Sequence, residues 1–259
     1  MQSDILLSGE RIDDLQRNGL QIIQSAQGFR FGMDAVLLAD FVRLRPREKW
    51  ADFGTGTGIL PILLSQNEPT VYFEAMELQP QMAEMAARSV RLNHLQDRIK
   101  VHAVDIRLAP TVLGYETLDG VVCNPPYGKR GCVLPSQANP QNISRHETES
   151  TIEDFVCSAA KVLRNHGRLC MVFPSSRMLE LMDFKRKYAL EPKRLRMVCA
   201  KASKPPYLIL VEAIKMAKPA LLWMPPLIIY HEDGSETTEL RRIYHQETMQ
   251  ANGGEVNDG

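Results

Sequence analysis

The chain has 259 residues, of which 44% are hydrophobic and 24% charged, values typical of a globular protein with its own core. Its five cysteines are odd in number and widely spaced, which argues against a disulfide framework or a zinc site. No apolar run approaches the ~18 residues of a membrane span, and the first residues lack the basic and apolar regions of a signal peptide. We therefore expect a cytoplasmic protein with no membrane segment and no bound metal.

Short β-branched stretches alternate with helical ones along the chain, a pattern typical of a parallel sheet with helices on both faces. We predict a helix over 33–42, and then strands at 49–53, 70–76, 99–104, 118–123 and 168–173. Helices are predicted between them at 59–66, 80–92, 151–163 and 176–188, and a closing antiparallel pair at 194–198 and 207–214. The expected fold class is α/β and Rossmann-like, a mostly parallel seven-stranded sheet with a final antiparallel strand.

Three regions follow from this pattern. Residues 1–48 form an N-terminal extension or cap, 49–218 a ligand-binding domain, and 219–259 an appendage whose end, from 251, we expect to be disordered. Residues 128–149 form a polar stretch without periodicity, and a loop of that length is usually functional or mobile. The helix at 151–163 opens with Ser150-Thr151-Ile152-Glu153, the pattern of a capping box.

A glycine-rich turn ends the first strand of the domain, as Asp52-Phe53-Gly54-Thr55-Gly56-Thr57-Gly58. Glycines here let the backbone approach a ligand, and the following helix offers free amides. The third glycine comes one residue earlier than in a dinucleotide-binding turn. Because a pyrophosphate does not favour a neighbouring carboxylate, we expect Asp52 to face a positively charged group such as the ammonium of a methionine-like ligand.

Two further acids follow successive strands. Glu77 ends the second strand and can accept the hydroxyls of a ribose lying across the strand ends. Asp105 follows the third strand and can accept the amino hydrogens of an adenine, with Leu78 or Ile106 against the ring. Three acids at three successive strand ends predict a site for a nucleoside-containing cofactor.

Asn124-Pro125-Pro126-Tyr127 follows the fourth strand and is the most informative stretch of the chain. An exocyclic amine on a purine is a poor nucleophile because its lone pair is delocalised into the ring. The Asn124 side-chain carbonyl and the Pro125 backbone carbonyl can accept its two hydrogens and free the lone pair. Pro125 and Pro126 stiffen the turn, and Tyr127 offers a face on which a flipped-out base can stack. These four residues are the candidate catalytic residues for methyl transfer to a planar amino nitrogen.

These motifs resemble the class I, Rossmann-like amino methyltransferases that act on adenine N6 and related nitrogens. More narrowly, the chain resembles the bacterial tRNA1(Val) adenine-N6 methyltransferase family through Gly28-Phe29-Arg30-Phe31-Gly32-Met33-Asp34-Ala35-Val36-Leu37-Leu38-Ala39 and through Arg145-His146-Glu147. The resemblance covers about residues 10 to 215. It implies S-adenosylmethionine as cofactor and adenosine 37 of a tRNA, beside the anticodon, as substrate.

The resemblance also assigns residues. Cofactor binding would fall to the glycine turn and the strand-end acids, with Phe31 to Asp34 bordering the pocket and the tetrad holding the base. The full cofactor set is Asp52, Gly54, Thr55, Gly56, Gly58, Glu77, Leu78, Asp105, Ile106 and Asn124. The oligomeric state does not follow from the sequence.

Charge distribution bears on the substrate. The formal net charge is zero, yet residues 161–218 contain fourteen Lys or Arg against four Asp or Glu. Such a segment suggests a polyanion-binding face, although solvated surface charge explains it equally well. Basic clusters occur at 185–187 and 193–196. At the ends of the long loop, the candidate RNA contacts are Lys129, Arg130, Arg145 and His146.

Three alternatives remain open from the sequence. A protein-glutamine N5 methyltransferase could use the same tetrad, since a glutamine amide is also planar with two hydrogens. A guanine-N2 methyltransferase of ribosomal RNA resembles the chain but tends to carry Phe at the position of Tyr127 and a duplicated domain. A non-enzymatic RNA-binding or cofactor-sensing module is disfavoured by the intact tetrad beside an intact glycine turn.

Overall fold

The structure, a computed structural model, describes residues 5–26, 32–126 and 150–244. Its strands are β1 (Glu10–Asp14), β2 (Gln21–Ser25), β3 (Lys49–Phe53), β4 (Tyr72–Glu77), β5 (Ile99–Ala103), β6 (Leu118–Cys123), β7 (Leu163–Pro174), β8 (Leu190–Cys199), β9 (Pro206–Lys215), β10 (Leu222–Trp223) and β11 (Leu227–Ile228). Its helices are α1 (Met33–Phe41), α2 (Ile59–Asn67), α3 (Pro80–Leu92), α4 (Ala109–Leu113), α5 (Ile152–Val162), α6 (Met178–Lys187) and α7 (Thr238–Ile243). Residues 251–259, which we predicted to be disordered, lie outside the described residues.

The central sheet confirms the predicted fold class. Its seven long strands lie in the order β8-β9-β7-β6-β3-β4-β5, and β9 is antiparallel to both of its neighbours. The predicted bounds of β3, β6 and α3 are reproduced to the residue. Since β3 to β6 are mutually parallel, their carboxyl ends meet at one edge of the sheet.

Apolar side chains are buried on both faces of the sheet, which explains why its strands read as continuous hydrophobic runs. One face packs against α1 and α2, the other against α5 and α6. The fully buried Trp50 lies across its strand neighbour Gly120, where a β carbon would come within 2.3 Å of the indole. A larger residue at Gly120 would displace this ring from the core.

The N-terminal residues form an antiparallel hairpin, β1–β2, that the sequence pattern did not predict. It docks on α3, where the Ile23 amide donates to Ser89 Oγ at 3.0 Å and the Gln21 amide donates to Asn93 Oδ1 at 2.9 Å. Arg88 of α3 pairs with Glu10 of β1, and both side chains are largely buried. These contacts join the hairpin to the outer half of the sheet.

The C-terminal residues also extend the sheet, which was not predicted. Both β10 and β11 pair in parallel with β8, so the central sheet has nine strands among the described residues. The helix α7 packs against α1. Strands of two residues are too short to give a periodic signal. None of the helices within 5–26, 32–126 and 150–244 is both long and apolar enough to cross a membrane.

The predicted capping box of α5 is wrong by one residue. The N-cap is Thr151, whose hydroxyl accepts from the Asp154 amide at 3.2 Å while Asp154 accepts from the Thr151 amide at 2.7 Å. Glu153, the expected partner, instead accepts from the Tyr188 hydroxyl at 2.8 Å. Ser150 with Glu153 and Thr151 with Asp154 both have the hydroxyl-to-acid spacing of the motif, so the sequence alone does not distinguish the two registers.

Candidate active site

The carboxyl ends of β3, β4, β5 and β6 bring the predicted acids and Asn124 to one edge. Phe53 pairs with Met76 on one side and with Cys123 on the other, while Glu77 pairs with Ala103. Adjacent strands lie about 4.8 Å apart, so residues that immediately follow these positions form a row. The structure therefore places Asp52, Glu77 and Asn124 near one another along this edge, as expected from the order of the motifs.

The glycine turn is fastened to the end of β4. The amides of Gly54 and Thr55 both donate to the Met76 carbonyl at 2.9 Å, and the Gly56 amide donates to Glu77 Oε2 at 2.9 Å. Gly58 is the N-cap of α2 and has a φ of +91°. The bonds hold the turn open against the edge of the sheet.

Space around the turn indicates where a ligand can approach. A β carbon at Gly54 would contact the Phe155 ring at 3.5 Å, and one at Gly58 would contact Ala86 at 3.4 Å. A β carbon at Gly56, whose φ is +57°, would meet no atom within 4 Å. The turn is thus packed against protein at its two ends and open at its middle glycine.

Asp52 lies on β3 beneath this turn and is fully buried. Neither of its carboxylate oxygens, nor the buried Thr55 hydroxyl, has a hydrogen-bond partner among the described residues. Burial, with a smaller contribution from the negative charge of Glu77, raises the pKa of Asp52 to about 7; the Thr55 hydroxyl lies near enough to oppose this shift without reaching hydrogen-bond geometry. A buried carboxylate without a partner is costly, so the site fits a cationic ligand that would pair with it.

Glu77 is largely buried, and both of its oxygens already accept backbone amides, from Gly56 and from Gln79, each at 2.9 Å. Each carboxylate oxygen has a second lone pair. The two backbone bonds orient the carboxylate, leaving acceptor capacity for a pair of ribose hydroxyls.

Asp105 caps a single 3-10 turn after β5 and is ion-paired with Arg107. Burial alone would raise the pKa of Asp105, but the Arg107 contacts outweigh burial and hold the pKa below its ordinary value. An adenine amino group would therefore share this carboxylate with Arg107. Of the two apolar candidates for the ring, Ile106 is buried in the core and Leu78 is 39% exposed, so Leu78 offers the accessible surface.

The first three tetrad residues follow β6 directly. Asn124 is half-buried, Pro125 is buried and Pro126 is exposed. The fourth, Tyr127, lies outside the described residues, as do the five other expected contacts with cofactor or RNA: Phe31, Lys129, Arg130, Arg145 and His146. Those assignments stay predictions.

One residue of the predicted basic clusters lies inside the protein. Lys185 of α6 was counted in a surface cluster, yet it is fully buried, and its Nζ has no hydrogen-bond partner among the described residues. Burial lowers the pKa of Lys185 to about 8. The available signal was its spacing, because Lys185 lies four residues after the buried Leu181 on one helix face.

Other cations of the basic segment are also turned inward. Arg168, Arg194 and Arg196 are each at most 9% exposed. They pair respectively with Glu48, Glu212 and Glu239. The interpretation of the whole segment as a polyanion-binding face is therefore wrong for these positions, which stabilise the fold. Within the described residues, no group of three or more His, Cys, Asp or Glu side chains is placed to hold a metal ion.

Comparison with known proteins identifies the family. The model of the methyltransferase small domain matches residues 25–187. A tRNA1(Val) (adenine(37)-N6)-methyltransferase of Porphyromonas gingivalis is 30% identical over 197 residues, which cover 74% of this chain and 76% of the relative. The chain belongs to the tRNA1(Val) (adenine(37)-N6)-methyltransferase family. This methyltransferase is thus an S-adenosylmethionine-dependent enzyme, and the buried Asp52 and the open glycine turn fit that cofactor.

Solved structures agree on the fold. A predicted O-methyltransferase of Agrobacterium tumefaciens superposes with a TM-score of 0.68, at 22% identity, covering 82% of this chain and 96% of that one. A geranyl diphosphate methyltransferase solved in complex with S-adenosylmethionine gives a TM-score of 0.51 at 13% identity, covering 70% of this chain and 84% of that one. The chain has the class I methyltransferase fold.

Proposed function

We propose that this methyltransferase transfers a methyl group from S-adenosylmethionine to the exocyclic N6 of adenosine 37 in a tRNA, beside the anticodon. The observation that carries the proposal is the position of Asn124 and Pro125 at the end of β6, on the same edge as Asp52 and Glu77. The names of the relatives support the choice of tRNA and of adenine 37. Since tRNA is its substrate, the enzyme works in the cytoplasm.

On the cofactor side, each residue would bind a different part of S-adenosylmethionine. Asp52 pairs with the ammonium of the methionine part, and Glu77 accepts from the two ribose hydroxyls. Asp105 accepts from the adenine amino group, and Leu78 contacts the ring. When bound there, the cofactor supplies a methyl group on a positively charged sulfur. No covalent intermediate with the protein is needed, because positioning and electrostatics supply most of the rate enhancement.

On the substrate side, the tetrad activates the amine. The Asn124 side-chain carbonyl and the Pro125 backbone carbonyl accept the two N6 hydrogens, which draws the nitrogen towards sp³ geometry. Its lone pair then points at the methyl group, and one of the two hydrogens leaves as a proton after transfer. Tyr127 supplies the stacking face for a base that has left its helix.

The test is a methyl-transfer assay with the purified chain and radiolabelled donor. We expect label in total tRNA, N6-methyladenosine after nucleoside mass spectrometry, and no label when a tRNA1(Val) transcript carries guanosine at position 37. A release factor serves as the protein substrate in a parallel reaction. Label in the protein alone, or in N2-methylguanosine, would contradict the proposal and favour one of the alternative amino methyltransferases.

A further inference from the structure

Three tyrosines from distant parts of the chain meet beside the substrate edge. Tyr207 is the second residue of β9, between Pro206, which pairs with Cys199, and Leu208, which pairs with Pro174. The Tyr230 amide donates to the Ala200 carbonyl at 2.9 Å, immediately beyond the end of β8. Tyr244 follows α7, which packs against α1. Two of the three tyrosines therefore come from the C-terminal appendage.

The position of Tyr207 relative to the tetrad follows from the sheet order. β9 lies two strands from β6, across β7, and the end of β6 is in register with the carboxyl half of β7. Two strand spacings amount to about 10 Å, and Tyr207 lies three residues beyond the level of Asn124 along the strands, which adds about 10 Å at right angles and separates the two Cα atoms by about 14 Å. A nucleotide adjoining one held at Asn124 would therefore come within reach of Tyr207.

The side chains are suited to contact a ligand. Tyr207 is 42% exposed, while Tyr230 and Tyr244 are half-buried. None of the three hydroxyls has a hydrogen-bond partner among the described residues. Burial, and then the charge of Asp34, raise the pKa of Tyr207 to about 12. Burial followed by the charges of Glu236 and Tyr230 raises the pKa of Tyr244 to about 12, so both hydroxyls stay protonated and can donate.

The charges that act on the tyrosines themselves are the acids Asp34 and Glu236, and only the two adjoining turns are nearly balanced in charge. Lys201 donates to the Glu232 carbonyl at 2.9 Å, and the Glu232 carboxylate accepts from Ser203. Lys204 and Asp233 lie on the same two turns. A phosphate-binding surface would carry a clear excess of cations. An exposed tyrosine ring without an excess of cations around it instead suits the flat face of a base, which stacks on tyrosine whatever its sequence.

We propose that Tyr207, with Tyr230 and Tyr244 beside it, forms a second base-recognition surface, on which an unpaired base next to the methylated adenine stacks. The proposal deepens the function proposed above and rests on it. It assigns the C-terminal appendage a part in RNA recognition, because the appendage supplies Tyr230 and Tyr244.

The test compares Tyr207→Ala with Tyr72→Ala, whose side chain is 53% exposed at the opposite edge of the sheet. The substrate is an anticodon stem-loop RNA. For Tyr207→Ala we expect KM for RNA to rise roughly tenfold, the effect of losing one stacked base. The affinity for S-adenosylmethionine and the salt dependence of RNA binding should stay unchanged. Tyr72→Ala should match the wild type, and Tyr207→Trp should restore KM.

A double-mutant cycle sharpens this result. Two further stem-loops carry an abasic site, one at position 36 and the other at position 38. For the wild-type enzyme, one of these two RNAs should show a raised KM, which identifies the stacked base. For Tyr207→Ala, the same abasic RNA should cause no further rise in KM, because the stacking contact is already lost. Equal KM values for Tyr207→Ala and Tyr72→Ala would overturn the inference, as would a reduced salt slope, which would indicate a phosphate contact. A wild-type enzyme that methylates no RNA would instead refute the proposed function itself.

Discussion

The two halves of the substrate edge are built differently. In the half formed by β3, β4 and β5, the candidate residues from Asp52 to Asp105 lie at a strand end or within a few residues beyond it. In the half formed by β7, β8 and β9, the candidate surface combines Tyr207 with residues of the C-terminal appendage. The first half depends on short local motifs and the second on contacts between distant segments.

Electrostatics separate the halves further. The cofactor half contains a buried carboxylate without a partner and a second carboxylate bonded only to backbone amides among the described residues, so it is prepared for a cation and for hydroxyl donors. The other half presents an exposed tyrosine ring without an excess of cations around it. A cofactor shared by many enzymes is held by a local motif, whereas the surface that would distinguish one RNA from another is assembled by the tertiary fold.

The largest expected effect tests the division between the halves. Asn124→Ala should lower the methyl-transfer rate roughly 10²- to 10³-fold, the effect of losing one preorganised polar contact in a transition state. Cofactor affinity should change little, because the acids of the other half are untouched. Isothermal titration beside the methyl-transfer assay measures both. A parallel loss of cofactor binding would show that Asn124 belongs to the cofactor half.

The next largest effect lies within the cofactor half. Glu77→Gln keeps the side-chain size but gives the Gly56 and Gln79 amides only one good acceptor to share, and weakens any bond to ribose hydroxyls. We expect cofactor Kd to rise roughly 10- to 100-fold, as for a lost charge-assisted hydrogen bond. Glu74→Gln on the same strand, where the carboxylate pairs with Lys49 and His102, is the control. Equal Kd values for the two variants would remove Glu77 from the site.

A pH titration examines Asp52. Its pKa of about 7 means that the carboxyl is mostly neutral at pH 6 and mostly ionised at pH 8. Cofactor affinity should therefore rise roughly tenfold between these values, and Asp52→Asn should abolish the rise. A flat wild-type profile would contradict the pairing of Asp52 with the ammonium.

Stability of the cofactor-free protein should move in the opposite direction. The folded pKa of Asp52, about 7, lies above its ordinary value of 3.8, so the native state holds the proton more tightly than the unfolded state. Stability from this group is then lost as pH rises from 3.8 to 7. Asp52→Asn should raise Tm more at pH 8 than at pH 5, which thermal unfolding measures. An equal gain at both pH values would mean that the carboxyl is not buried as described.

The smallest effect concerns the glycine turn. Gly56→Ala and Gly19→Ala both place a β carbon in open space at positive φ, so each should cost about 1–2 kcal/mol of stability. Only Gly56 lies in the turn, and its substitution should also raise cofactor Kd severalfold because the new methyl group occupies the approach path. If both variants bound cofactor equally well, the open side of Gly56 would not be the ligand side.

The sequence by itself determined the parallel sheet, the edge at which the site lies and the candidate residues Asp52, Glu77 and Asn124. These depend on local periodicity and on residues that immediately follow a strand, and both can be read from adjacent positions. The identity of the chain as an amino methyltransferase came from the same local motifs.

Only the tertiary structure decided which charged residues are inside and which segments meet. Lys185, Arg194 and Arg196 are buried because their strands and helix turn them towards partners or apolar neighbours, and a count of basic residues cannot register this. The joining of Tyr207 to the appendage depends on two-residue strands that pair with β8. Burial and long-range pairing are properties of the packed chain, so no local pattern in the sequence contains them.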